Sequence, residues 1–219
     1  MTNFPSQKII IEAILQGVIK AKQNFLFWTN NRLFLSHGPQ KIITIHVAQE
    51  IASVQDAPEI FIDATVADIL RCSLPDRSTY TKYMQDNKLT QGAFSITLDE
   101  RCEHKNDNDS ISKVIISVNN GVRNVKAEYT NEIERICKML DRSIYTDSTL
   151  EYGIFTFYSD LSCTARKKLV KRIPALIKSF DLVVKNFPLL TSKFVSSDVK
   201  TIENSGEWLV GCYVVEPVD

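Results

Sequence analysis

The sequence predicts an α/β fold: a mixed central sheet flanked by helices, with extra helices toward the N- and C-terminal ends. Three observations predict it. Stretches with apolar residues at helical spacing alternate with short β-branched runs. Two of those runs, GAFSITL (92–98) and KVIISVN (113–119), are separated only by the polar DERCEHKNDNDSIS, as in a long hairpin. A strongly periodic helix pattern, 126–140, then separates them from another strand pattern, EYGIFTFYS.

The elements follow in order. Ile10, Ile14, Val18 and Ala21 share one face of a helix from Gln7 to about Gln23, with Ser6 as its N-cap. FLFWTNNRLFLSHGP is aromatic and broken by Asn30-Asn31 and Gly38-Pro39, so short extended pieces around a turn are expected. A second helix starts at Pro39 and runs to about Val54, burying Ile43, Val47 and Ile51. EIFIDA reads as a strand and TVADILRCSL as a helix capped by Thr65. In the hairpin, alternation places Phe94, Ile96 and Leu98 on one face and Val114, Ile116 and Val118 on one face. Tyr129, Ile133, Ile136, Cys137 and Leu140 form the stripe of the helix that follows. A long basic helix, from Thr164 to about Phe187 and interrupted near Pro174, leads to EWLVGCYVVEPVD, a strand apolar on both faces and hence inside a sheet or covered at its end.

Composition narrows the function classes. The chain has 219 residues, and at roughly 100–200 residues per domain this suits a single domain over 1–219. Hydrophobic residues make up 44% and charged residues 24%, which excludes collagen-like, low-complexity and disordered chains. Lys plus Arg and Asp plus Glu are both 26, so the surface as a whole is not built for nucleic acid, although a local basic stripe survives that sum. Five cysteines without C-x-x-C spacing fit a reduced compartment. The N-terminus lacks a secretory pattern and no apolar run approaches the ~20 residues that span a bilayer, so a cytoplasmic protein without membrane contact is expected. No Gly-rich phosphate loop is present, and His37, His46 and His104 are at no metal-ligand spacing. His46 precedes Glu50 by one helical turn, which suits a local hydrogen bond.

The order helix, strand, strand, strand, helix, strand, with the segments GAFSITL, KVIISVN and NEIERICKML, resembles the core of the PD-(D/E)XK nuclease superfamily over about residues 40–158. The resemblance implies a restriction-endonuclease-like core. In that family one strand carries an Asp and the next a Glu and, two residues on, a Lys. The carboxylates hold a divalent metal that lowers the pKa of a bound water, and strand alternation keeps the Lys on the same face. Here the Asp position falls on Ser95, the Glu position on Ser117 and the Lys position on Asn119. Hydroxyls and a neutral amide do not supply the charge a hard cation needs. The resemblance therefore implies a degenerate site with no catalytic residues, no metal and no cofactor, in a protein that acts by binding nucleic acid or a protein partner, as such members do in bacterial nucleic-acid-processing or defence systems.

Alternatives stay open on the residues. Ser, Thr and Asn also suit a half-exposed sheet face. Carboxylates could have migrated to Glu50, Asp63 or Asp99, giving an active nuclease dependent on Mg²⁺ or Mn²⁺; equally, Glu50 would be solvated, Asp63 would help cap the next helix, and Asp99 with Glu100 would open a polar loop. Lys167, Lys168, Lys171 and Arg172 are spaced to share one helical face that would meet a phosphate backbone, or simply water. The aromatic segment 25–34 or the C-terminal strand would instead be covered by a protein partner or a second copy in an interaction module.

Overall fold

The computed structural model describes residues 4–100, 110–143, 147–202 and 205–218. Its elements are α1 (Gln7–Trp28), α2 (Gln40–Ala52), β1 (Glu59–Thr65), α3 (Val66–Ser73), α4 (Tyr80–Asp86), β2 (Ala93–Glu100), β3 (Ile111–Asn119), α5 (Ala127–Leu140), β4 (Tyr152–Ser162), α6 (Leu169–Val184), β5 (Leu190–Ser196), β6 (Lys200–Ile202) and β7 (Gly206–Pro217). The fold is α/β. Seven strands form one mixed sheet in the order β1-β2-β3-β4-β7-β5, with β6 pairing β7 beside β5. β1, β2 and β3 make an antiparallel meander. α5 then crosses over so that β4 lies parallel to β3, and β7 returns antiparallel to β4.

Both sheet faces are covered, and alternation along the strands sorts the core into two layers. Ile96, Leu98, Val114, Ile116, Val118, Ile154 and Val214 pack under α1 and α2. Ile115, Phe155, Phe157, Tyr213 and Val215 pack under α3, α5 and α6. α3 is capped as expected, with Thr65 Oγ1 accepting from the Asp68 N–H at 3.2 Å. In α4 the Tyr83 hydroxyl lies 3.0 to 3.2 Å from the carbonyls of Lys138, Met139 and Asp141, where the end of α5 leaves carbonyls without helical partners. β7 lies between β4 and β5, which is the first of the two places its two-sided apolar pattern allowed.

Several expectations are corrected. α1 does not stop near Gln23 but continues through FLFW, because Phe25 extends the buried stripe of Val18 and Ala21. The chain turns only at Asn30 and Asn31, both at positive φ, which asparagine tolerates better than most residues. Residues 25–34 are thus helix and turn rather than extended pieces. α6 begins at Leu169, not Thr164, since its first N–H is met by the Glu207 carboxylate. Pro174 lies inside α6 without ending it, and the stripe Leu169, Ile173, Leu176, Phe180, Val184 stays buried across it. Phe94 belongs to the opposite core layer from Ile96 and Leu98. Asp99 and Glu100 are strand residues paired with Ser112 and Ile111, not the start of a loop; most of the polar stretch between the hairpin strands falls outside the described residues. β5 and β6, absent from the sequence reading, form an edge whose strands are short and polar.

α1 and α2 approach closely at Gly17, where an added Cβ would sit 2.5 Å from Val47 Cα. Gly17→Val should therefore destabilise the protein by about 2 kcal/mol or more, since backbone cannot yield as a side chain does. A urea titration read by circular dichroism measures this, with Gly17→Ala intermediate.

Candidate functional site

β3 and β4 are parallel and end at the same edge of the sheet, where β1 also ends and β2 and β7 begin. In α/β sheets this edge, beyond the carboxyl ends of parallel strands, is where ligands usually bind. Ser117 and Asn119 reach it on β3, and Asn119 Nδ2 donates to Ser117 Oγ at 3.3 Å. Ser95 lies beside them on β2. Paired residues of β2 and β3 end at Ile96 and Ile116, and Ser95 Oγ accepts from the Val118 N–H at 3.1 Å. The three positions thus converge, and both serine hydroxyls accept hydrogen bonds, one from strand backbone and one from a neighbouring amide. The half-exposed sheet face is found at Ser95 and Asn119 but not at Thr97 and Ser117, which are 1% and 5% exposed because helices cover this layer.

The candidate carboxylates are held apart. Glu50 is not simply solvated: it pairs with Lys20 of α1 at 2.6 Å, on the α1/α2 side of the sheet. Its expected contact with His46 is not formed, and His46 Nε2 instead lies 3.1 Å from Asn24 Nδ2. Asp63 has φ 57°, a kink inside β1, and pairs with Lys41 of α2; the cap of α3 comes from Thr65. Asp99 is at the opposite edge of the sheet, across from Glu59, four strand positions or roughly 13 Å along β1 from Asp63. It is 3% exposed, and it faces α3, on the other side of the sheet from Glu50. Burial pushes its carboxyl above the ordinary Asp range, with the hydroxyls of Ser110 and Ser112 opposing in part. Among the described residues no three His, Cys, Asp or Glu side chains are placed to share a metal ion.

Sequence reasoning missed the most tightly held charges at this edge. Asp160, at the end of β4, has a side chain only 1% exposed and accepts two hydrogen bonds from Arg123, one from Nε at 3.0 Å. Arg123 also donates to Ser36 Oγ at 2.7 Å. Asn120 donates to the carbonyls of Leu35 and Gly38 at 2.9 and 3.0 Å, and Gln40 donates to the Val118 carbonyl. The connector 120–126 is thereby tied to the turn between α1 and α2. The single charged residue of the strand YGIFTFYSDLS was the available signal, since a buried carboxylate needs a partner.

The same connector reaches the basic segment. Arg172 Nη1 donates to Asn124 Oδ1 at 2.6 Å and Arg172 Nε to the Lys167 carbonyl at 2.9 Å. The expected shared helical face is corrected: Lys167 and Lys168 precede α6, and only Lys171 and Arg172 lie in its first turns. The turn nevertheless gathers the four residues. Arg166, Lys167, Lys168 and Lys171 are exposed and Arg172 is half-buried. None has a carboxylate partner among the described residues, whereas Arg71, Arg135 and Lys138 are paired on their own helices. No helix among the described residues is long and apolar enough to cross a membrane. Compared with protein-family models, with curated proteins and with solved structures, the chain has no significant match.

Two outcomes are expected. Arg123→Ala strands the Asp160 carboxylate and should cost about 2–3 kcal/mol, the low end for a broken buried pair because the Arg123 side chain is 39% exposed; chemical denaturation measures it. Because the folded-state pKa of Asp99 is raised, its ionisation opposes folding above that pKa, and the cost disappears once pH falls to the ordinary value of 3.8. Asp99→Asn should raise the melting temperature at neutral pH, with the gain shrinking to nothing below about pH 4.

Proposed function

We propose that this chain is a non-catalytic nucleic-acid-binding protein on a restriction-endonuclease-like core, whose former metal positions are Ser95, Ser117 and Asn119. The observation that carries the reading is the cluster Lys167, Lys168, Lys171 and Arg172, together with Arg166, exposed for the most part and without carboxylate partners among the described residues. Clustered cations release counterions when they meet phosphates, and this supplies affinity without base recognition. Two features support the core assignment: the meander, crossover helix and parallel strand occur in the order the resemblance requires, and the three substituted positions converge at one edge. The separation of Glu50, Asp63 and Asp99 argues for binding over cleavage, because metal-assisted hydrolysis needs carboxylates within reach of one ion. No metal or other cofactor is part of this reading, and a reduced cytoplasmic setting goes with it.

One observation favours a protein partner or a second copy instead. Phe27 and Trp28, at the end of α1, are 81% and 61% exposed.

Fluorescence anisotropy with labelled duplex and single-stranded DNA separates these readings. Nucleic-acid binding predicts an affinity that falls between about 50 and 200 mM salt with a logarithmic slope of about −3 to −4, one unit per phosphate met. Replacing Lys167, Lys168, Lys171 and Arg172 with Gln should flatten that slope and leave little binding. Absence of binding at low salt, or binding that the variant retains, overturns the proposal. With Mg²⁺ or Mn²⁺ the wild type should leave plasmid uncut; cleavage abolished by an Asp63→Ala, Asp99→Ala double variant would establish the nuclease reading.

A further inference from the structure

At the sheet edge opposite the basic turn, α3 and the outer strands enclose a cleft of about 290 Å³. Its walls are largely apolar, from Phe61, Ile62 and Ile69, while Thr97, Asp99 and Cys72 supply polar atoms. Thr97 and Asp99 are 1% and 3% exposed, and both line the cleft. Ser110 donates to Asp99 Oδ2. Asp99 Oδ1 and Thr97 Oγ1 have no hydrogen-bond partner among the described residues. A buried polar atom left unpaired costs roughly 1–3 kcal/mol, and a carboxylate oxygen more. No lysine or arginine is among the described lining residues, and the one other carboxylate there, Asp68, already pairs with Arg71 at 3.3 Å. The cleft is therefore an apolar slot whose lining residues Asp99 and Thr97 hold an unanswered acceptor pair just beneath its surface.

We propose that this cleft binds a small organic cation, an ammonium or amidinium on an apolar body, with the cation donating to Asp99 Oδ1 and Thr97 Oγ1 and the body lying against Phe61, Ile62 and Ile69. An ammonium offers three donors and the charge that a buried carboxylate lacks. A metal ion fits less well, since a hard cation needs several oxygen ligands and the rest of the slot is apolar. The volume is at the small end for ligand pockets, which suits a single ring with a short amine arm. Cys72 lines the same slot as Asp99, and burial and the Asp99 charge push its thiol up, with Arg77 and Arg71 opposing.

The test is a calorimetric and NMR titration of the full chain with phenethylamine, phenethyl alcohol and phenylacetate. The amine should bind and shift the amide resonances of Ile69, Cys72 and Thr97, the alcohol should bind about tenfold more weakly, and phenylacetate should not bind. Asp99→Asn should weaken the amine about tenfold or more while leaving the alcohol unchanged. Cys72→Trp, which fills the slot and leaves the carboxylate, should abolish binding of both; it decides the matter if the Asn variant does not fold. Equal binding of amine and alcohol, retention of amine affinity in either variant, or no shift at these amides overturns the proposal. The basic turn plays no part in this outcome, so the two proposals fail independently.

Discussion

The parallel pairing of β3 with β4 is the constraint on which the rest of the structure depends. It is the single parallel contact of the described sheet, and parallel strands need a crossover connection. α5 supplies it and thereby covers one face, while α1 and α2 cover the other, so the central strands are buried on both sides. Gly153 allows the close approach: a Cβ there would sit 2.5 Å from Ile136 of α5 and 3.1 Å from Ile115 of β3. With both strands ending at one edge, the connector after β3 and the turn after β4 are brought side by side.

That edge combines rigidity with charge. Asp160 is fully buried and holds Arg123, Arg123 holds Ser36, and Asn120 holds the turn between α1 and α2. A buried ion pair of this kind contributes little net stability compared with apolar packing, but it fixes the geometry of the groups it joins. The basic turn at 166–172 hangs from the same connector through Asn124. At the same edge Ser95 accepts from the Val118 N–H and Ser117 from the Asn119 amide.

The two edges of the sheet differ in character. One carries exposed cations beside the buried Arg123–Asp160 pair; the other carries a cleft lined by Asp99 and Thr97, whose Oδ1 and Oγ1 are buried without a partner among the described residues. Polyanion binding at the first and small-cation binding at the second are compatible on one sheet, because its two edges are separated by the length of the strands.

Local pattern was enough for the α/β class, the two hairpin strands, the helix that precedes β4, the Thr65 cap and the two-sided burial of the C-terminal strand. Each follows from the period of apolar residues or from one side chain reaching its own backbone. Tertiary structure decided the rest. It carried α1 through Phe25 because a distant core accepted that ring, began α6 at Leu169 because Glu207, far along the chain, met its first N–H, and drew Ser95 into the gap between two strands. It also chose the partners of the charged groups: Lys20 for Glu50, Lys41 for Asp63, Arg123 for Asp160 and no cation among the described residues for Asp99. Those choices depend on which elements meet in space. Spacing along a chain carries no information about contacts between residues 30 or 37 positions apart.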